Sequence, residues 1–259
     1  ELDALKVNNS DMVVVRVSEE KLKVLFIEGW PRWDFRFLKN ALRRDTGLSG
    51  RTGGPPDILL EAEARRRPAE QGPLLPATVE ELASYDVAVI GDVSPRLLDE
   101  AFLELLDEAV REDGLGLIVA AGPSYVPHAY GPVLQELLPV VMHPEAAGML
   151  APSNQPFRLE LSGEGMFHEV MRLHEDPDRN RAVWSVMPPF YWCAPAERPA
   201  AAATVLAWNS SVALRQGKVP LIAYHLAGEG KVLFVGLDST WHWRQNVGER
   251  LFYKFWGQA

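Results

Sequence analysis

One stretch near the start of the chain, residues 23–38 (KVLFIEGWPRWDFRFL), restricts the possible folds more than any other. An apolar run ends at the acid Glu28, a turn follows at Gly29 and Pro31, and a segment of helical periodicity begins at Trp33. A strand that leads through a tight turn into a helix is the opening unit of a parallel α/β domain. Domains of this kind place their functional groups at the carboxyl ends of the strands.

The same alternation of strand and helix continues along the chain. Apolar runs predict strands over residues 22–27, 57–60, 85–90, 115–120 and 231–236, and periodic segments predict helices over residues 33–44, 78–82, 96–112, 133–138 and 249–257. Ser94 and Pro95 are typical of the N-cap and the first position of a helix. Short connections and right-handed crossovers then favour an α/β fold with a mostly parallel sheet and helices on both faces.

Two regions depart from this alternation. Residues 1–20 contain a β-branched strand pattern at 12–17, which indicates the end of a preceding β region or a linker strand. The remaining residues, 21–259, are predicted to form the α/β domain. Within it, residues 139–225 form an irregular, proline-rich insertion that contains β segments, with strands predicted at 157–161, 203–207 and 221–225. We expect this insertion to add an antiparallel extension to the sheet.

Composition excludes several kinds of partner and site. The formal net charge of −9 argues against nucleic acid or anionic lipid as the main partner. The chain has one cysteine, Cys193, so an intrachain disulfide and a multi-cysteine metal site are both excluded. No apolar run reaches the ~18 residues that a membrane span needs. Because the sequence begins at Glu1 and stops at Ala259 just after an aromatic cluster, we expect it to be a segment of a longer protein.

Several phrases of the sequence together resemble one family. They are VLFIEGWPRWDFRFLKNAL (24–42), YDVAVIGDVSP (85–95), LGLIVAAGP (115–123), PPFYW (188–192) and GEGKVLFVGLDSTWHWR (228–244), followed by FYKFWGQ (252–258). The chain resembles the glutamine amidotransferase-like domain of large membrane-anchored bacterial proteins, notably of planctomycetes. Those proteins often also carry von Willebrand A-type and aerotolerance-operon-type (Bat) regions. Residues 1–20 resemble the end of the Ig-like β region that precedes such a domain.

The resemblance implies the fold and the setting of the domain. The fold would be a flavodoxin-like sheet of the class I glutamine amidotransferase type. The parent protein would be anchored in the membrane, with this domain on the exported, periplasmic side and with neighbouring domains of the same parent as its partners. The segment itself would contribute no membrane span.

The nucleophile that this type of enzyme requires is missing. A class I amidotransferase places a cysteine on a sharp turn after a buried strand, ahead of a helix, and pairs it with a histidine and an acid. In the matching turn after residues 115–120, Ala121 or Gly122 occupies the elbow, and Ser124 is the nearby hydroxyl. Cys193 lies in a proline-rich segment away from any strand–helix junction. The sequence therefore favours a domain without the amidotransferase reaction, with Ser124 as a weak candidate nucleophile.

A second weak catalytic candidate follows the last predicted strand. His242 lies near the position of the catalytic histidine in enzymes of this fold, four residues after Asp238. A histidine and an acid at this spacing could act as a general base. The neighbouring Trp241 and Trp243 favour instead a packed aromatic cluster with a structural or ligand-contacting histidine.

The ends of the predicted strands carry charged and aromatic side chains that could share one cleft. Because carboxyl ends of parallel strands lie at one edge of a sheet, these residues are expected to be close together. The candidate ligand-binding residues are Glu28, Arg32, Trp33, Asp92, Asp238, Trp241 and Arg244. One interpretation is a buried ion-pair network that orders the loops. The other is a pocket for a small polar or carbohydrate ligand, since tryptophan beside carboxylates and arginine suits sugar stacking.

Three functions remain open from the sequence. The first is a non-catalytic binding or interaction domain, the second a hydrolase that acts on a polar or glycan substrate through strand-end carboxylates, and the third a structural scaffold that docks neighbouring domains through the aromatic tail at 252–256. We expect no cofactor. We also expect no metal site, since the spacing of His168, His174 and the nearby acids fits no metal-binding template.

Overall fold

The fold contains eleven strands in the part of the chain that the structure, a computed structural model, describes: residues 20–64, 75–146, 149, 155–214, 217–245 and 249–259. The strands are β1 (Leu22–Glu28), β2 (Leu48–Ser49), β3 (Asp57–Leu60), β4 (Val87–Ile90), β5 (Gly116–Ala120), β6 (Val140–Met142), β7 (Leu159–Leu161), β8 (Ala196–Pro199), β9 (Thr204–Leu214), β10 (Gly217–Ala227) and β11 (Gly230–Val235). The strand predicted at 12–17 lies outside the described residues.

Helices connect these strands and cover the sheet. They are α1 (Trp33–Arg44), α2 (Glu61–Ala64), α3 (Val79–Ala83), α4 (Glu100–Asp113), α5 (Pro132–Leu137), α6 (Pro177–Val186) and α7 (Arg250–Gln258), with short 3₁₀ turns at Glu169–Met171 and Thr240–Arg244. In the part of the chain that is described, no helix is long and apolar enough to cross a membrane.

Nine strands form one sheet whose parallel half has the flavodoxin-like order. β3, β1, β4, β5 and β11 are adjacent and parallel, so that the five strands follow the order 2-1-3-4-5 when they are counted along the chain. β10, β9 and β7 extend the sheet antiparallel beyond β11, while β6 and β8 form a separate antiparallel pair. The predicted α/β class and the antiparallel extension from the insertion are confirmed.

The sheet has a hydrophobic core on each face. Along β1 the side chains alternate: Leu25 and Ile27 point into the core beneath α3, α4 and α5, whereas Val24 and Phe26 point into the core beneath α1, α6 and α7. All four side chains are buried. A strand that is apolar on both sides is the expected pattern for a parallel sheet covered by helices on both faces.

The aromatic tail belongs to the second core. Phe255 of α7 packs edge-on against Trp243 at a centroid distance of 4.9 Å, and Trp243 packs against Trp184 at 5.3 Å. Phe252, Phe255 and Trp256 are all buried in the domain itself. The prediction that the tail docks neighbouring domains was wrong for these three side chains, because α7 turns its apolar face towards the sheet.

Two local predictions also need correction. The helix predicted to start after Ser94 begins at Glu100, where the Asp99 carboxylate accepts a hydrogen bond from the Phe102 amide. The Ser94 hydroxyl instead donates to the buried carboxylate of Glu61 at 2.7 Å. The side chain that was predicted to cap a helix therefore makes a tertiary hydrogen bond. The insertion was also more regular than predicted, since it contains the ten-residue helix α6 and the long strand β9.

The burial of α7 generates a stability prediction. Phe255→Ala should lower the free energy of unfolding by about 3–5 kcal/mol, because it removes a fully buried ring and leaves a cavity. Urea titration monitored by circular dichroism measures this change. Phe167→Ala is the matched control, since its ring is 73% exposed, and it should cost less than about 0.5 kcal/mol. Equal losses in the two variants would contradict the assignment of α7 to the core.

Candidate functional site

The guanidinium of Arg32 joins the ends of three parallel strands. Its Nε donates to the Glu28 carboxylate at the end of β1 (3.0 Å), and one terminal nitrogen donates to the carboxylate of Asp238 after β11 (2.9 Å). The same side chain donates to the backbone carbonyls of Ala120 and Ala121 at the end of β5, at 3.1 and 3.0 Å. Only 15% of the Arg32 side chain is exposed. Four hydrogen bonds therefore hold one buried cation at the carboxyl edge of the sheet.

The local sequence places this arginine where it can reach the strand ends. Arg32 is the N-cap residue of α1, with extended backbone dihedrals, directly after the turn that contains Gly29. A Cβ atom on Gly29 would lie 2.2 Å from the backbone carbonyl oxygen of Asp92, so only glycine allows β1 and β4 to end this close together. A Cβ on Gly91 would likewise lie 2.2 Å from a carboxylate oxygen of Glu28. These two glycines make the space for the buried carboxylates.

Asp92, directly beyond β4, organises the loop that follows β5. Its carboxylate accepts hydrogen bonds from the backbone amides of Ser124, Tyr125 and Val126 at 2.9, 2.7 and 3.0 Å. Asp92 is buried, and a Cβ on Gly122 would lie 2.3 Å from its Cγ. The carboxylate thus fills the space that a side chain at Gly122 would need.

Asp34, which the sequence analysis did not select, plays the same part for the loop after β11. Its carboxylate accepts hydrogen bonds from the amides of Ser239, Thr240 and Trp241 at 2.8, 3.0 and 2.7 Å, and from the Thr240 hydroxyl at 3.1 Å. Ser239 has a φ of 80°, a left-handed conformation that is uncommon outside glycine. An acid in the first turn of α1 was the visible signal, but its partners lie more than 200 residues away.

Burial acts on the ionisation of these groups. Removal from water raises the pKa of Glu28, although Arg32 and the Gly29 amide oppose the shift. Burial likewise raises the pKa of Asp34, and its backbone hydrogen bonds oppose the change. The surrounding carboxylates raise the pKa of Arg32 despite its burial, so the guanidinium stays charged.

The turn after β5 is not built as a nucleophile elbow. Ala121 is fully buried, and both of its backbone polar groups are used, the amide by Val235 and the carbonyl by Arg32. Ser124 is exposed, but the next helix, α5, begins only at Pro132. No helix N-terminus therefore lies directly behind the turn to stabilise an anionic nucleophile there.

Cys193 lies away from that turn, opposite Leu237 in an isolated antiparallel bridge. Its sulfur lies 3.8 Å from the side-chain nitrogen of Asn209, and it packs against the second core. Burial raises the pKa of the Cys193 thiol to about 11, although the Asn209 contact opposes the shift. These surroundings are typical of a structural thiol.

A cleft of about 180 Å³ opens beside Asp238, between the carboxyl edge of the sheet and the insertion. It is lined by Pro123, Phe190, Tyr191, Trp192, Asp238, Ser239 and His242. The Asp238 side chain is 26% exposed, the most open of the strand-end carboxylates. Among the described residues its carboxylate pairs with Arg32 and not with His242. Burial lowers the pKa of His242, which favours the neutral imidazole.

The remaining predicted site residues lie beside this cleft on the outer side of α1. Trp33 contacts Phe37 and Trp241 at centroid distances of 5.9 and 5.7 Å. The Arg244 guanidinium lies 3.5 Å from the centre of the Phe37 ring and pairs with Glu249. Trp33, Trp241 and Arg244 therefore form an aromatic surface group that does not line the cleft, although the ring of Trp241 contacts that of His242.

The structure thus brings together Glu28, Arg32, Asp92 and Asp238, and adds residues that sequence reasoning missed. The missed cleft residues come from the insertion, above all Tyr191 and Trp192, which are part of the PPFYW phrase. In the sequence analysis the PPFYW phrase supported the family resemblance, but no binding role was assigned to its residues.

The two histidines of the insertion that the sequence analysis weighed as metal ligands, His168 and His174, serve local turns. The Nδ1 atom of His168 accepts from the Val170 amide at 3.3 Å, and that of His174 accepts from the Asp176 amide at 3.0 Å. Across the described ranges, histidine, cysteine and acidic side chains form no group of three or more that could hold a metal ion.

Comparison with solved structures supports the fold. STM1381, a cytoplasmic protein from Salmonella typhimurium LT2, is similar with a TM-score of 0.61 and 20% identity, over 91% of this chain and 96% of that one. A ThuA-like protein from Bacteroides uniformis ATCC 8492 has a TM-score of 0.49 and 15% identity, over 95% of both chains. At 20% identity the likeness to STM1381 extends to the fold alone, and a TM-score of 0.49 is too low for the ThuA-like protein to carry an argument.

Part of a larger enzyme is also similar. The exo-β-1,4-mannosidase Op5Man5 from Opitutaceae bacterium strain TAV5 matches with a TM-score of 0.45 and 15% identity, over 93% of this chain but 36% of the enzyme. The chain therefore spans about a third of that protein, and the similarity is too low to support a functional argument. Neither a protein-family model nor a curated protein matches this sequence.

The position of Arg32 generates a second stability prediction. Arg32→Met should lower the free energy of unfolding by about 3–5 kcal/mol, because it leaves Glu28 and Asp238 without their cation. Arg32→Lys should recover little, since an ammonium cannot make four hydrogen bonds in a fixed planar fork. Urea titration measures both losses. Arg43→Met, at an exposed position of the same helix, should stay within about 0.5 kcal/mol, and an Arg32→Met loss of that size would contradict the proposed role of Arg32.

The pKa of Cys193 generates a kinetic prediction. Because the thiolate is the reactive form and the folded-state pKa is about 11, iodoacetamide should alkylate the folded protein roughly 100-fold more slowly at pH 7 than the protein unfolded in urea. The rate for the folded protein should keep rising up to about pH 11. Since the chain has one cysteine, mass spectrometry reports this site alone. Fast reaction of the folded protein at neutral pH would indicate an activated thiolate and overturn the structural assignment.

Proposed function

We propose that this chain is a non-catalytic, amidotransferase-like binding domain. The observation that carries the proposal is that the buried carboxylates at this edge of the sheet already accept hydrogen bonds from the protein itself. Glu28 is bonded to Arg32 and the Gly29 amide, Asp92 accepts three backbone amides, and Asp34 accepts three amides and a hydroxyl. Groups that are saturated in this way order loops, and they are not free to transfer protons to a substrate.

A hydrolase of the glycosidase type is less well supported. Such enzymes need two carboxyl groups that face the substrate from roughly 5–10 Å apart. Among the four carboxylates at the strand ends, Asp238 is the one that lines the cleft. Besides the phenol of Tyr191, His242 is the other titratable group in the lining, and without a hydrogen bond to Asp238 it lacks the orientation that a catalytic dyad requires.

The cleft suits one small polar molecule. Its volume of about 180 Å³ corresponds to roughly six water molecules, which fits a single sugar ring better than a polymer. Tyr191 and Trp192 offer aromatic faces for stacking, while Asp238 and Ser239 offer acceptors for hydroxyl groups. The cleft lies at the carboxyl edge of the parallel strands, where open α/β sheets bind their ligands, although it is formed after β5 and β11 and not at the switch point between β1 and β4.

The setting follows from the sequence resemblance. We propose that residues 21–259 form one domain of a membrane-anchored parent protein, on its exported side, after a preceding β region that ends near residue 20. Neighbouring domains of the parent would contact the exposed aromatic side chains Trp30 and Trp33. The scaffold interpretation would then hold for these two residues in place of the aromatic tail.

The test combines a binding measurement with two turnover assays. We expect glucose, used as the probe, to bind in ligand-observed NMR and Tyr191→Ala to abolish the signal, because the half-exposed ring forms a wall of the cleft. Phe167→Ala removes an exposed aromatic ring outside the cleft and should leave binding unchanged. Ammonia release from glutamine and release of nitrophenol from 4-nitrophenyl glycosides should both stay at background.

Turnover in either assay that disappears in Asp238→Asn would overturn the proposal in favour of the hydrolase. Glucose binding that survives in Tyr191→Ala would remove the cleft as the ligand site.

A further inference from the structure

The backbone donors that an anionic ligand would use at this edge of the sheet are already taken. In many α/β proteins, runs of free amides at the strand ends bind phosphate or carboxylate groups. Here the three amides after β5 donate to Asp92, and the three amides after β11 donate to Asp34. Two internal carboxylates therefore occupy the positions that an external anion would need.

The charges around the cleft have a negative sum. Arg32 interacts with four carboxylates, those of Glu28, Asp34, Asp92 and Asp238. The formal charges of one guanidinium and four carboxylates add up to a negative value. Among the seven residues that line the cleft, Asp238 is the acidic one, and none is a lysine or an arginine.

The walls of the cleft are aromatic. Phe190, Tyr191 and Trp192 are three of its seven lining residues, and Tyr191 is half exposed. Aromatic faces carry negative partial charge and attract cations within about 6 Å of the ring centre. A carboxylate and aromatic faces around one small cavity are the groups that recognise an ammonium.

We infer that the cleft selects a positively charged ligand, an amine carried by a small polar molecule such as an amino sugar. The ammonium would bind beside the open part of Asp238, and the body of the molecule would lie against Tyr191 and Trp192. This inference rests on the proposed binding function and names the chemical class of its ligand.

Three sugars of the same ring size but different charge test the inference. Glucosamine carries an ammonium at neutral pH, glucose is neutral, and glucuronate is an anion. We expect glucosamine to bind at least about tenfold more tightly than glucose in NMR titrations, and glucuronate to bind more weakly than glucose. Raising the salt from about 20 mM to about 500 mM should weaken glucosamine binding and leave glucose binding nearly unchanged, because added salt screens charge.

A matched pair of variants locates the effect. Asp238→Asn should reduce the ratio of glucosamine affinity to glucose affinity to about twofold or less, because the amide keeps an acceptor oxygen but carries no charge. Asp113→Asn removes the same charge at the exposed end of α4, on the amino side of the sheet, and should keep the preference. The salt titration on the unaltered protein gives an independent readout if Asp238→Asn does not fold.

The outcomes separate the two proposals. Equal affinity for glucose and glucosamine, or tightest binding of glucuronate, would overturn the cation inference and leave the binding function standing. Absence of binding by all three sugars would overturn both.

Discussion

The burial of one guanidinium organises the rest of the candidate site. A charge that is largely removed from water must be paired and fully hydrogen-bonded, or the fold loses several kcal/mol. Arg32 meets this requirement with two carboxylates and two backbone carbonyls, which belong to the ends of β1, β5 and β11. The paths of three strand ends and the start of α1 are consequently coupled, since displacement of any one of them would remove at least one of the four hydrogen bonds of the cation.

The same edge of the sheet shows how internal carboxylates can use the backbone donors that follow parallel strands. Chemistry at the end of β5 would need an exposed nucleophile and free amides around it. In this protein Asp92 takes the amides and occupies the space beside Gly122, and Ala121 is buried beneath Arg32. The groups that would stabilise a reaction intermediate stabilise two loops instead. Among the carboxylates at this edge, Asp238 alone keeps a partly exposed side chain.

The cleft beside Asp238 is formed by the sheet and the insertion together. The sheet edge supplies Asp238 and His242, and the insertion supplies the aromatic wall of Tyr191 and Trp192. A ligand in the cleft would meet the aromatic side chains and the carboxylate together. The rigidity that the buried ion pairs impose on the loops preorganises such a cleft, which lowers the entropic cost of binding a small molecule.

The sequence by itself determined the α/β class, the parallel strands and the fact that charged groups follow them, because apolar runs and turn residues are local signals. It also indicated that Glu28, Arg32, Asp92 and Asp238 share one edge, since carboxyl ends of parallel strands converge there. It could not show that Asp34 caps a loop 205 residues away, that Ser94 bonds Glu61 instead of starting a helix, or that Tyr191 and Asp238 line one cleft. Those pairings were decided by the tertiary structure, because a buried polar group takes the partner that packing brings within about 3 Å, whatever its separation along the chain.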